Sequence, residues 1–161
     1  MTHTTLELTP DVQRHLAKGY EMAMGLRSSF ESDAENKKGR GYKVPNGAIY
    51  TTVGDMAKFA SFLMGDGPAS VLAPARLLHY QNDYVIPTGT INPGGYGLGM
   101  MFLRLGKAIV KGNGGEVSGY IAALYLNRDA RVAVIVLSSA GGNGSVNVDA
   151  LALRALDILS K

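Results

Sequence analysis

The polar groups that could do chemistry crowd into one stretch, Lys111-Gly112-Asn113-Gly114-Gly115-Glu116-Val117-Ser118-Gly119-Tyr120. It lies between strand-like apolar runs, Tyr96-Gly97-Leu98-Gly99-Met100-Met101-Phe102-Leu103 upstream and 121–126 downstream. Glycine removes the side chain that keeps a ligand from the backbone, so such a strand suits close approach. The Asn113 amide can hydrogen-bond a carboxylate or a carbonyl, but it cannot titrate and supplies no cation. Lys111 is close in sequence, yet residues two apart on a strand are roughly 7 Å apart, two rises of about 3.3 Å. The same residues would also form a glycine-rich hairpin that binds nothing, the glycines merely permitting a tight twist.

Other candidate groups have plainer readings. Ser118 beside the glycines could be a nucleophile, but a serine hydroxyl needs an adjacent base and none is near. A turn or substrate-contact role suits it better, and Tyr120 is a further possible contact. No two of His3, His15 and His79 stand at the helical spacing of a zinc site, so no metal or cofactor is expected. Asp55 is explained by its place at a helix start. Tyr80-Gln81-Asn82 matches a Tyr-x-Asn pattern, but three-residue patterns recur by chance.

Positioning these groups requires a sheet. The spacing predicts a strand over 96–105, a tight turn at Gly106-Lys107 and a second strand over 108–112. A third strand over 120–126 turns through Asn127-Arg128-Asp129-Ala130 into a fourth over 132–138. Gly141, Gly142, Asn143 and Gly144 read as a flexible joint. Asn147 then caps a helix whose stripe of Val148, Leu151, Ala152, Ala155, Leu156 and Leu159 covers one sheet face.

Upstream, Thr9-Pro10-Asp11 starts a helix with Val12, Leu16 and Tyr20 on one face. Periodicity is lost over 25–46, which reads as a long surface loop. Thr52 caps a helix with Asp55 three residues on, a stripe of Met56, Phe59, Ala60 and Leu63, and a left-handed stop at Gly65. A shorter helix over 74–81 buries Leu77 and Leu78. The fold class is therefore α+β: a single, partial domain over 1–161, with a helical and loop region over 1–95 and antiparallel strands plus a helix over 96–161.

Composition excludes several functions. The 161 residues carry a formal charge of +3 and no cysteine, so disulfide and thiol chemistry are out. No apolar run has membrane-span length, and the polar start lacks the basic and apolar regions of a signal peptide. Lys37, Lys38, Arg40 and Lys43 cluster, but without interleaved aromatics they read as a solvated loop, not a nucleic-acid surface.

Taken in order, Tyr96-Gly97-Leu98-Gly99, Asn113-Gly114-Gly115 with Gly119-Tyr120, and the strand ending in Leu137-Ser138 resemble the closing part of the serine β-lactamase and penicillin-binding-protein family. The likeness is to its class C-type branch of β-lactamases, D-alanyl-D-alanine carboxypeptidases and esterases. It continues through Pro45-Asn46-Gly47-Ala48-Ile49-Tyr50-Thr51-Thr52-Val53-Gly54-Asp55-Met56-Ala57-Lys58-Phe59, and segments near Met1 and Leu16-Ala17-Lys18-Gly19-Tyr20 match too.

The resemblance implies acyl transfer from a Ser-x-x-Lys serine to β-lactam, D-Ala peptide or ester substrates, usually outside the cytoplasmic membrane. It places the substrate strand at Asn113, Gly114 and Gly115 and one oxyanion-hole donor on the Glu116 backbone N–H. Asn113 stands where the family usually has lysine or histidine. None of Ser28, Ser29, Ser32, Ser61, Ser70, Ser118, Ser138, Ser139, Ser145 and Ser160 has a lysine three residues on. The expectation is the C-terminal portion of a hydrolase, from a truncated gene, an internal start or an excised piece. It would leave a strand edge and an apolar face to pair with a complementary N-terminal chain or a second, domain-swapped copy.

Overall fold

The computed structural model describes residues 1–23, 26–29, 44, 47–83, 86–87, 94–117, 119–142 and 145–161. Among the described residues, helices α1 (Pro10–His15), α2 (Val53–Ser61), α3 (Pro74–Asn82) and α4 (Val148–Leu159) accompany nine strands. Strands β1 (Tyr20–Ala23) and β2 (Leu26–Ser29) form a small sheet with β9 (Ala140–Gly142). The main sheet runs β3 (Ile86–Pro87), β4 (Gly95–Tyr96), β5 (Met101–Leu105), β6 (Ala108–Val117), β7 (Tyr120–Asn127) and β8 (Val132–Ser138), every neighbour antiparallel. The α+β meander expected from the pattern is the architecture found.

Strand β7 divides two cores because its side chains alternate. Leu124 and Leu126 join Ala60, Leu63, Leu77 and Met100 on the side of α2 and α3. Ala123 and Tyr125 join Val110, Val148, Ala152 and Leu156 on the side of α4. Fully burying a Val or Leu is worth about 1.5–3 kcal/mol, so α4 is held chiefly by Val148 and Leu156, with Ala152 between them allowing close approach. Among the described residues, no strand pairs with the outer edge of β8.

The capping signals hold. The Oγ1 of Thr9 accepts from Val12 N–H and that of Thr52 from Asp55 N–H, while Asn147 Oδ1 accepts from Ala150 N–H. The α2 helix widens into a π turn over Phe62–Asp66, where Gly65 takes φ +101°.

Several expectations are corrected. Helix α1 stops at His15, Leu16 is extended and Tyr20 begins β1, because residues 20–22 pair with 140–142. Through the same pairing Gly141 and Gly142 are strand; β1, β2, β3 and the first residue of β4 fall within the first 95 residues, while 143–144 and most of the expected loop lie outside the described residues. The 96–105 strand is broken at Gly97–Met100, with Gly99 at φ +74°. Strand β6 continues through the glycines to Val117. Leu78 is exposed, and Gln81 is buried in its place, its Nε2 donating to the Leu63 carbonyl. On α4, Leu151 and Leu159 are 50% and 60% exposed. The face through Val148, Ala152 and Leu156 meets the sheet, which turns theirs outward.

Candidate functional site

Strand β5 leaves β6 at the pair Met101–Gly112, whereas β7 continues alongside as far as Val117. Residues 113–117 therefore have a strand neighbour on one side only, among the described residues. That exposed edge is the frame of the candidate site.

The two sides of this segment differ. Residues 112 and 114 lie level with Tyr125 and Ala123, on the α4 side. A Cβ on Gly112 would lie 2.1 Å from the Leu124 carbonyl oxygen, and one on Gly114 would lie 2.1 Å from Asp149 Oδ1. The close approach that glycine permits there is made by the protein itself. Gly115 shares the opposite side with Asn113, and a Cβ built on it meets nothing within 4 Å. Of the two glycines 114 and 115, only Gly115 faces open space among the described residues.

Asn113 is exposed, and its Nδ2 donates to the Tyr96 hydroxyl at 3.1 Å and to the Gly99 carbonyl at 3.5 Å. Strand β4 and the turn before β5 thus hold the amide in place. Lys111 faces the same side but is buried, 9% exposed. Its Nζ donates to Asn82 Oδ1 at 2.6 Å and lies 5.2 Å from the Phe102 ring centroid. Burial, reinforced by the Arg128 charge, pushes its ammonium below the ordinary lysine range. A cation so placed anchors α3 to β6.

The far end of the segment is tied to the small sheet. Glu116 Oε1 accepts from Gly142 N–H at 2.5 Å, and Glu21 Oε2 accepts from Gly119 N–H at 2.8 Å. Gly119 has φ +77°, a conformation most side chains avoid. Tyr120 directs its hydroxyl to the Ala17 carbonyl at 2.6 Å and closes over Gly19. Ser118 lies outside the described residues.

The structure thus gathers Asn113, Gly115 and Glu116 along one edge, while Gly114 and Lys111 face inward partners and Tyr120 braces the small sheet. Two contributors went unseen in the sequence. Tyr96 reads in the sequence as a strand residue and part of the resemblance, and its phenol meets Asn113. Asn82, in the Tyr80-Gln81-Asn82 pattern, holds Lys111, and Tyr80 donates to the Leu98 carbonyl. Asp55 is more than a helix start: 1% exposed, it accepts from His3 N–H, the Thr4 hydroxyl and Lys58 Nζ. Among the described residues no cluster of three His, Cys, Asp or Glu could hold a metal ion, and no helix is long and apolar enough to cross a membrane.

Comparison with known proteins bears on this arrangement. The family model described as Beta-lactamase matches residues 1–157. The chain is 34% identical over 74 residues to human "Putative beta-lactamase-like 1", covering 46% of this chain and 13% of that protein. Its fold is similar to that of the octameric penicillin-binding protein homologue from Pyrococcus abyssi, with TM-score 0.74 and 18% identity over 99% of this chain and 34% of that one. It is also similar to the D-amino acid amidase from Ochrobactrum anthropi SV3 in complex with D-phenylalanine. There the TM-score is 0.67 and the identity 19%, over 98% of this chain and 49% of that one. The chain spans well under two thirds of each of these relatives.

Proposed function

The chain belongs to the Beta-lactamase family, and we propose that it supplies the substrate-side strand of an acyl-transfer site whose attacking serine comes from polypeptide outside this sequence. The observation that carries the reading is the edge of β6 over 113–117, which among the described residues is unpaired on one side, beside the open Gly115.

The ladder geometry supports a donor at Glu116. Gly106, at φ +60°, opens a two-residue hairpin turn that makes Leu105 and Ala108 the closing, doubly bonded pair. Backbone groups alternate in direction along an antiparallel strand. Residues 108, 110 and 112 face β5, so 114 and 116 face the edge that β5 has left. An N–H aimed there can meet the oxygen of a tetrahedral intermediate, and losing one such donor costs about 10²–10³ in rate. The incoming serine oxygen would bond to the acyl carbon, its proton passing to a base of the Ser-x-x-Lys type, and the leaving group would depart protonated. Asn113 would orient the acyl compound. The substrate range is β-lactams, D-Ala peptides, esters and, by likeness to the amidase, amides.

Association with the missing polypeptide has a surface to use. Leu151, Ile158 and Leu159 are exposed on α4, and the outer edge of β8 lacks a strand among the described residues. A complementary N-terminal segment is the occupant this reading favours over a second copy. A noncatalytic binding chain is the rival reading, favoured by the lack of a Ser-x-x-Lys serine; it predicts saturable binding without labelling.

The test begins with the DNA upstream of Met1. An in-frame extension encoding Ser-x-x-Lys should yield a protein acylated by labelled penicillin or a fluorophosphonate at that serine. In that protein Glu116→Pro, which deletes the N–H on a strand edge where proline is tolerated, should slow acylation about 10²–10³-fold. Glu116→Ala keeps the N–H and should react near the wild-type rate. Equal rates for the two variants would refute the oxyanion role.

A further inference from the structure

Asn113 and Tyr96 form a recognition pair whose polarity can be read from its contacts. The Asn113 amide nitrogen faces the Gly99 carbonyl, which can only accept, so the NH2 end is fixed on that side. Its Oδ1 is turned away and has no partner among the described residues. The Tyr96 oxygen is used as an acceptor from Asn113 Nδ2, which leaves the phenol proton free to donate. The pair therefore offers a ligand one acceptor and one donor, both uncharged.

No compensating cation stands in this segment of β6. Lys111 lies on the same side of the strand but is buried, its ammonium committed to Asn82 and the Phe102 ring. Glu116 and Glu21, which bind Gly142 N–H and Gly119 N–H, bring carboxylates to the far end of the strand. A ligand carboxylate beside Asn113 would set its oxygens against Oδ1 and find a single neutral donor. A carboxamide has an N–H for Oδ1 and a carbonyl for the phenol.

We propose that the Asn113–Tyr96 pair selects acyl substrates bearing a neutral carboxamide at this position and discriminates against those bearing a free carboxylate. The inference rests on reading 113–116 as a substrate-side strand. It assigns Tyr96 and Asn113 as specificity-determining residues.

The test is a titration of the 15N-labelled 161-residue chain at pH 7 with N-acetylalanine amide and with N-acetylalanine, each as both enantiomers. The amide should shift the Gly114–Glu116 backbone signals and the Asn113 side-chain NH2, with a Kd about fivefold below that of the acid, the scale of one neutral hydrogen bond. Tyr96→Phe should weaken amide binding about threefold, again within one neutral hydrogen bond. Asn113→Lys should reverse the preference. Acid binding at these signals as tightly as amide in the wild type would overturn the carboxamide selection while leaving the strand reading intact. Failure of both ligands to shift 113–116, or shifts confined elsewhere, would overturn the strand reading and the selection with it.

Discussion

Asp149, in the first turn of α4, stands so close to Gly114 that a Cβ there would lie 2.1 Å from its Oδ1. The same carboxylate accepts from the Tyr125 hydroxyl at 3.0 Å, so it cannot swing aside without giving up that bond. Gly114 therefore lets α4 close on the sheet, whereas Gly115, one residue on, keeps the opposite side clear. Adjacent glycines serve packing and access separately.

Gly114→Ala should destabilise the chain by about 1–3 kcal/mol, the usual cost of overpacking, with the loss reduced in an Asp149→Ala background. Gly115→Ala should change stability by no more than about 0.5 kcal/mol, as at an unobstructed surface site, yet weaken ligand binding at 113–116. Denaturant melts combined with the ligand titration check both. Equal destabilisation by the two substitutions would show that the assignment of roles is wrong.

Asp55 ties the first residues to α2. The Lys58 ammonium, together with the His3 N–H and Thr4 hydroxyl, holds its carboxyl well below the usual carboxylate range despite burial. A depressed folded-state pKa means stability that is fully present above the unfolded value, near 4, and is lost as pH falls below it toward the folded value. Asp55→Asn should flatten the acid limb of the melting profile and speed amide exchange at 3–5. An unchanged acid limb would contradict the anchoring role.

For Lys111 stability again rises with pH, but here it is the charged form that folding disfavours. Its folded pKa lies below the unfolded value near 10.4 because burial disfavours the charge. The unfolded chain then binds more protons as pH approaches that range, and stability rises with pH. Lys111→Met fills the same space beside Phe102 without the charge, and exposed Asn82 can turn to water. Its melting temperature relative to wild type should be highest near pH 7 and fall back toward pH 10. A gap that widened with pH would reverse the argument.

Much of this was legible because local signals agreed with the final packing. Thr52, Gly65 and Asn147 are local stops and starts, and the β6–β8 meander follows from alternating apolar residues and the Gly106-Lys107 turn. The missed features depend on contacts distant in sequence. Tyr20 pairs with Ala140, so a residue that fits a helical stripe becomes strand, and a glycine pair that reads as a joint becomes its partner. Asn82 meets Lys111 from 29 residues away and Tyr96 meets Asn113 from 17, separations that no window of periodicity samples. At the candidate site the glycines marked the right strand. Which of them faces outward depended on where α4 docks.

On the proposed function, the edge beside Asn113 receives its attacking serine from other polypeptide. Incubating the purified 161-residue chain with nitrocefin and a fluorophosphonate, followed by intact-mass and peptide mass spectrometry, tests it most directly. No turnover and no adduct on any of its serines are expected. Stoichiometric modification of one serine in this chain, with turnover abolished by its replacement with alanine, would contradict it.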